Sequence, residues 1–535
     1  MFRDNPAKTL VIGWSQPLVS LQNGSNFKLY YSSTDHGTDT TLYALDNQPV
    51  IPSRTSQMKS LNHYFVRLAN LSPNTNYYFT IAYDDVSGQR AQTPRYYSAT
   101  LPDVPTEPLS IIAGGDSRLD LEHPDQTAES IIIRQEANKM VSKLRPHLVA
   151  FGGDYTFANA DEEWVDWLED WELTYSSDGR ITPIVAAIGN HEYPPFLAPS
   201  GAQVVVDIFD VPSPDVYYAL TFGGNLLRLY TLNTEISIPG NQSQWLEQDL
   251  QTTGFDVYWK MAQYHKPIRP HEADKSDNND GFHYWAQPFW DYQVRLVVES
   301  DAHVVKTTWP VMPTTQPDGT GFGNYQADHN FVRNENRGTV FVGEGTWAAL
   351  RSGNDPKAWT RDMGGFNQVK WIWVNRDSIQ VRTVVTYDPT DSLYVKNLQE
   401  LSDTNRFSEP TGIQLWNPGN GKVVSITDNG RTPRPSLSSD QPNYLTYSAE
   451  FSVDPSLIKD GFARVRLNYT REREGLVRIF NLQGQELINQ TIYTSGDLMQ
   501  GTFDFNGMPE GIYLITLKAG DQIYTKRVIF TGNNQ

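Results

Sequence analysis

Between residues 109 and 303, five apolar, strand-like runs each close on side chains that coordinate metals, and no other feature constrains the chain as much. SIIAGG ends on Asp116, HLVAFGG on Asp154, ITPIVAAIG on Asn190 and His191, YWKMAQY on His265, and VRLVVES on Asp301 and His303. In open α/β sheets ligands bind outside the carboxyl ends of the strands, so residues far apart in sequence converge there. A single strand-end aspartate is commonly a helix N-cap. Five such positions in order, with oxygen and imidazole donors and no sulfur, point instead to a metal centre. Glycine precedes three of them, in GGD, GGD and GNH, where it lets the backbone turn sharply and approach a ligand.

The rest of the organisation follows from where the pattern changes. A chain of 535 residues exceeds one core and leads us to expect roughly three or four domains. Residues 1–105 read as a small β-sandwich, because TLVIGW, FKLYYS, HYFVRL and NYYFTIAY are short β-branched and aromatic runs separated by turn clusters. LPDVPTEP, rich in proline, suits a linker. Residues 106–388 alternate apolar strands with helical stretches, which predicts parallel βαβ units and an α/β core. Trp164, Trp167 and Trp171 fall on one helical face and are expected to pack into that core. Residues 389–445 lack periodicity and read as a linker or extension. Residues 446–535 return to short β runs and predict a second small sandwich.

Composition removes several classes of function. The formal charge of −19 disfavours nonspecific nucleic-acid binding, since a net anion works against the phosphate backbone. No apolar run approaches the ~18 residues of a membrane span. Without any cysteine there is no thiolate nucleophile, Cys-ligated zinc or disulfide. Met1 and Phe2 are followed by the polar RDNPAK, so the expectation is either a cytoplasmic protein or a mature form with an added Met.

GGDSR, GGDYTF, GNHE, YHKP and SDAH together resemble the five-block signature of the calcineurin-like metallophosphoesterases, in particular the purple acid phosphatase branch. HYFVRLANLSPNTNYYF followed by YYSATLP resembles that branch's fibronectin type III-like N-terminal domain, and the likeness spans about residues 1 to 385. It implies a central α/β metallophosphoesterase domain with a β-sandwich core flanked by helices. It further implies that Asp154 bridges two ions, with Asp116 and His303 on one and Asn190 and His265 on the other. His191 would contact phosphate or protonate the leaving oxygen. Two cations about 3.5–4 Å apart bind phosphate oxygens and generate hydroxide near neutral pH, so the implied activity is hydrolysis of a small phosphate ester. A phosphodiesterase or nucleotide hydrolase on the same core is the alternative enzyme. A surface binding protein with a degenerate centre is the alternative outside enzymes.

Three positions depart from the purple branch. Phe157 stands where a tyrosine would bind ferric iron, and Tyr155 is at the wrong offset, which favours a pair of divalent ions: Fe, Mn or Zn, with Mg a further candidate. Asp301 replaces a histidine and hardens the second site. Arg118 replaces a glycine and suits bidentate phosphate binding. After YHKP, His271 is a candidate substrate contact beside Arg269, and EADKSDNND reads as a solvated loop. GEGTW and Arg351 are candidates to line the cleft, and His147 is expected to be structural. Finally, VRIFNLQGQEL, MPEGIYLITLK and TKRVIF resemble the C-terminal sorting domain of type IX secretion, which implies that secretion machinery as a partner. The implied location is outside, or on the surface of, a Gram-negative, Bacteroidetes-like bacterium, and this favours the mature-form reading of the N-terminus.

Overall fold

A computed structural model of the chain describes residues 1–18, 23–119, 124–193, 201–314, 331–335, 337–427, 450–459, 461–468, 474–495, 498–519 and 522–531. The chain divides into two compact units, one of Met1–Ile238 and Trp245–Thr432, the other of Pro239–Gln244 and Pro433–Gln535.

The first unit opens with two antiparallel sheets. One holds Leu10–Pro17, Leu61–Leu68 and Arg54–Met58; the other holds Ser25–Ser32, Asn76–Asp84, Arg90–Gln92 and Tyr96–Ala99. Strand alternation turns Leu10, Ile12, Val66 and Leu68 of the first and Tyr77, Phe79 and Ile81 of the second into one core, which continues into the central region. Arg67 grips Asp210 through two hydrogen bonds of 2.8 and 2.6 Å, and Arg54 reaches the same carboxylate at 3.1 Å. In the proline-rich LPDVPTEP, Leu101 is buried and its N–H donates to the Pro6 carbonyl, while Asp103, Val104, Thr106 and Glu107 are exposed.

The central region is built on two mixed sheets. In the first, Ile184–Ala186, Leu148–Phe151 and Leu109–Gly114 run parallel, and Gln368–Val374, Ile379–Val385 and Val423–Ile426 continue the sheet antiparallel. The second runs in the order Tyr218–Phe222, Leu227–Thr231, Trp259–Gln263, Val294–Glu299, Val340–Gly343, Val305–Thr308 and Thr360–Gly364, the four strands from Leu227–Thr231 to Val340–Gly343 being parallel. Leu229, Met261, Leu296, Val298, Val340 and Val342 face the first sheet. Their neighbours Tyr230, Ala262, Val297 and Phe341 face a second core that holds Trp285 and Phe289. The five ligand-bearing runs therefore divide between two packed sheets instead of lining one open sheet, because both faces of the second sheet are apolar and need cover. The helix Asp161–Trp171 buries Trp164, Trp167 and Trp171, and Trp167 donates its indole N–H to Ser117 at 2.8 Å, bracing the turn after Asp116.

Residues 389–427 extend this unit. Val423–Ile426 is an edge strand of the first sheet, and Glu400 and Asp403 each lie 3.2 Å from Arg145. The rest of the expected linker, from residue 428, lies outside the described residues.

In the second unit, strands Phe462–Asn468, Glu474–Asn481, Leu498–Asp504, Gly511–Ala519 and Gln522–Phe530 close over Val465, Leu467, Val477, Ile479, Ile515 and Leu517. Strand Glu486–Ser495 pairs along most of its length with Glu474–Asn481 and at its end with Leu498–Asp504, joining the two halves.

Candidate metal centre

The strand ends meet at a point where the backbone is held against its own preference. Asp116, Asp154, Asp301 and His303 have φ of 63°, 55°, 67° and 61°. Left-handed backbone at a non-glycine residue costs of order 1 kcal/mol, and its concentration at one place marks a functional site. Two glycines are required there: a Cβ on Gly189 would overlap the Asp154 carboxylate, and one on Gly345 would overlap that of Asp116. Gly345 belongs to GEGTW, whose chain wraps the site, since Ala348 and Ala349 donate N–H to the Asp116 carbonyl at 3.0 Å and His303 donates to the Glu344 carbonyl at 2.7 Å.

Asp116, Asp154 and His265 are buried and offer ligand atoms within 4.8 Å of one another. His265 Nδ1 donates to the Gly152 carbonyl at 3.0 Å, which leaves Nε2 as the nitrogen that faces the cluster. That nitrogen lies 3.1 Å from Asp154 Oδ1, 3.1 Å from Asn190 Oδ1 and 3.6 Å from Asp301 Oδ1. On the other side His303 Nε2 lies 3.1 Å from Asp116 Oδ1, is buried, and has no hydrogen-bond partner among the described residues. Buried polar atoms normally find partners, so an orphaned imidazole nitrogen aimed at a carboxylate is the donor set a cation would complete. The six predicted ligands thus come together, with Asp154 between two groups of donors.

These buried groups act strongly on one another. Burial, and then repulsion from Asp154 and Asp301 working against the pull of His265, push the Asp116 carboxyl up to about 8. Burial opposes ionisation of Asp154 as well, yet His265 and His191 hold its pKa below the usual carboxylate range. Burial would lower the His265 pKa, but Asp154, Asp116 and Asp301 push it up to about 10. His303 is pushed well below its ordinary value by burial, then by Arg118 and Lys275, which keeps it in the neutral form that ligates metals.

His191 donates from its main-chain N–H to Asp154 Oδ1 at 3.1 Å, and its Nδ1 is bonded to the Phe157 carbonyl. Its Nε2 therefore faces the centre, 3.8 Å from Asp154 Oδ2. Arg118 Nε is 3.8 Å from the same oxygen, and its guanidinium stacks on Phe157 at 5.2 Å. The Tyr155 hydroxyl donates to the Ala187 carbonyl inside the core, so it takes no part in the centre. Arg118 and His303 also line a cleft of about 610 Å³ with Leu350, Arg351, Phe366 and Tyr387.

His271 is a correction. Its side chain is buried, bonded through Nε2 to Thr360 and packed edge-on to Trp359, and its N–H donates to Glu344, so that among the described residues its hydrogen-bond partners lie outside the donor cluster. It belongs to a buried network in which Lys306 joins Glu299 and Glu344, and in which Glu344 is held down at about 2 by Lys306 and His271 despite its burial. Arg269 lies in the same network, its carbonyl 3.3 Å from Lys306 Nζ. His147 is structural as expected, accepting the Ser110 N–H at 2.9 Å.

Two contributors escape the sequence reading. Glu192 is fully buried and accepts the N–H groups of Tyr155, Asp154, Gly189 and Thr156 at 2.8, 2.9, 3.0 and 3.4 Å, tying the second ligand loop to the third. Burial and Asp154 push its pKa up to about 8 against those donors. Its place in GNHE was the available signal. Lys275, within EADKSDNND, places Nζ 2.9 Å from Asp301 Oδ1, and nothing in that charge run marks it out.

Residues 461–531 match the family of secretion system C-terminal sorting domains. Among solved structures, the chain is similar to a purple acid phosphatase from yellow lupin (Lupinus luteus) seeds at 15% identity and a TM-score of 0.53, over 72% of this chain and 71% of that one. At such identity the likeness is one of fold. A beta-glucuronidase from Parabacteroides merdae (98% and 75% covered, 8% identity, TM-score 0.23) and a beta-glycosidase from Bacteroides vulgatus (99% and 78%, 9%, 0.20) overlap too loosely to carry an argument. A search of curated proteins finds no match. No helix among the described residues is long and apolar enough to cross a membrane.

Proposed function

We propose that this chain is a secreted phosphoesterase of the metallophosphoesterase type, acting on phosphate esters at a centre for two divalent ions. The observation that carries the reading is the convergence of six donors from five strand ends, Asp154 among them, with His265 and Asn190 on one side and Asp116 and His303 near by. Asp154 would be shared, Asp116 and His303 would hold one ion, and Asn190, His265 and Asp301 the other. Bound there, the ions supply Lewis-acid charge to the phosphoryl oxygens and lower the pKa of water toward neutrality.

The remaining residues bind and orient. Arg118, fixed over Phe157, presents a guanidinium that suits a phosphoryl oxygen pair. His191, its Nδ1 occupied by the Phe157 carbonyl, presents Nε2 to a phosphoryl oxygen or to the departing alkoxide. The cleft of about 610 Å³ would receive the leaving group, and its room favours retaining the diesterase reading beside the monoesterase one. The N-terminal sheets would be the fibronectin type III-like accessory domain, and the sorting module would direct type IX export in a Bacteroidetes-like host.

Metal analysis of the purified full-length protein, paired with hydrolysis of p-nitrophenyl phosphate and bis-p-nitrophenyl phosphate, tests the proposal. Bound transition metal and chelator-sensitive hydrolysis of either compound support it. A protein that takes up metal but cleaves neither would be the binding protein with a degenerate centre.

A further inference from the structure

The ammonium of Lys275 sits on an oxygen that the centre would need for metal. Asp301 Oδ1 is 2.9 Å from Lys275 Nζ and 3.6 Å from His265 Nε2, and His265 Nε2 is itself 3.1 Å from Asn190 Oδ1. A cation held by His265 and Asn190 therefore draws on the same oxygen as Lys275. The Asp301 side chain is 10% exposed and that of Lys275 23%, so the pair is only weakly screened, while the lysine retains access to solvent. The Asp301 main-chain N–H donates to both oxygens of Asp116, at 3.1 and 3.0 Å, which fixes the residue's backbone and leaves its side chain as the element that can change partner.

Resting on the reading above, we propose that Lys275 is an exchangeable counter-ion of the centre: it competes with the second cation for Asp301, and once displaced it binds the phosphoryl group of the substrate. Two positive charges cannot share one carboxylate oxygen without repulsion, so the second cation binds more weakly than the first. The freed ammonium would then stand beside the phosphoryl oxygens together with Arg118, whose Nε lies 3.8 Å from Asp154 Oδ2. Substrate or phosphate and the second cation would thus favour each other's binding, since each removes what opposes the other.

The test uses full-length protein stripped of metal and titrated calorimetrically with Mn²⁺, followed by titration with inorganic phosphate at saturating Mn²⁺. Wild type should show two steps of unequal affinity. Lys275→Met should tighten the second step about tenfold, while weakening phosphate binding by a similar factor, the scale of one charge-assisted hydrogen bond. Lys275→Arg should keep phosphate binding. In an Asp301→Asn background the Lys275→Met change should no longer affect the second metal step. If Lys275→Met leaves both the second step and phosphate affinity unchanged, or weakens the second step, the inference is overturned while the metal-centre reading stands. If wild type binds no Mn²⁺ in this assay, it is the underlying reading that fails.

Discussion

Glu192 offers the sharpest structural test, because one buried carboxylate serves four backbone donors from two ligand loops. Its two oxygens divide the work: Oε1 accepts from Tyr155 and Thr156, Oε2 from Asp154 and Gly189. Glu192→Gln preserves shape but leaves one oxygen and one amide NH₂, so whichever way the amide is turned, two backbone N–H groups face a donor. Above about pH 8, where Glu192 is ionised, hydrogen bonds to this charged acceptor are worth roughly 1.5–3 kcal/mol each and an unmet buried donor costs roughly 1–3 kcal/mol. Allowing for relaxation, we expect a loss of about 2–5 kcal/mol, at the upper end of single-substitution effects. Because the affected N–H groups position Asp154 and the turn before Asn190, metal affinity should fall about tenfold or more as well. Urea denaturation followed by circular dichroism, with and without Mn²⁺, reads the first effect, and calorimetric metal titration the second. A variant within about 0.5 kcal/mol of wild type and with unchanged metal affinity would refute the view that Glu192 holds these loops together.

Further predictions concern the centre and its surroundings. Asp154→Ala should abolish both metal binding and hydrolysis, whereas His191→Ala should retain metal and slow turnover by about 10² to 10⁴; equal metal loss in the two variants would make His191 a ligand. Loaded with ferric iron, the protein should show no visible charge-transfer band, since Phe157 supplies no phenolate and Tyr155 is bonded within the core; a purple or pink preparation would contradict this. Lys370 is buried and its pKa is pushed down to about 7 by burial, so between that value and its ordinary 10.5 the unfolded chain holds a proton that the folded one lacks. Wild type should therefore gain stability relative to Lys370→Met as pH rises from about 7 to 10.5, and the variant should be the more stable by roughly 1–3 kcal/mol at or below pH 7. Melting temperatures that differ by the same amount at pH 6 and pH 10 would count against that assignment.

What the sequence discloses, and what it hides, has a physical pattern. The meeting of Asp116, Asp154, Asn190, His265, Asp301 and His303 at one place was legible because apolar strands end abruptly on polar donors, and three of those endings carry glycine. Trp164, Trp167 and Trp171 were legible from helical spacing and lie buried as expected. The division of the five runs between two packed sheets was not, since a strand buried on both faces looks alike in either arrangement. His271 misled because polarity near a ligand block suggests contact, whereas the Glu344, Lys306 and Glu299 network buries charge by pairing it, which no local pattern reports. Lys275 was hidden by its acidic neighbours, and Val423–Ile426 by its shortness, for it is a strand only through its partner Ile379–Val385.

The central claim is tested most directly by restoring metal to stripped, full-length protein and following p-nitrophenyl phosphate hydrolysis as a function of metal bound per chain. Hydrolysis should be absent from stripped protein, return as Mn²⁺ or Zn²⁺ is added, and reach its plateau when two ions are bound, with no recovery in Asp154→Ala. Full activity in stripped protein, or recovery that does not depend on Asp154, would contradict a centre built on that carboxylate.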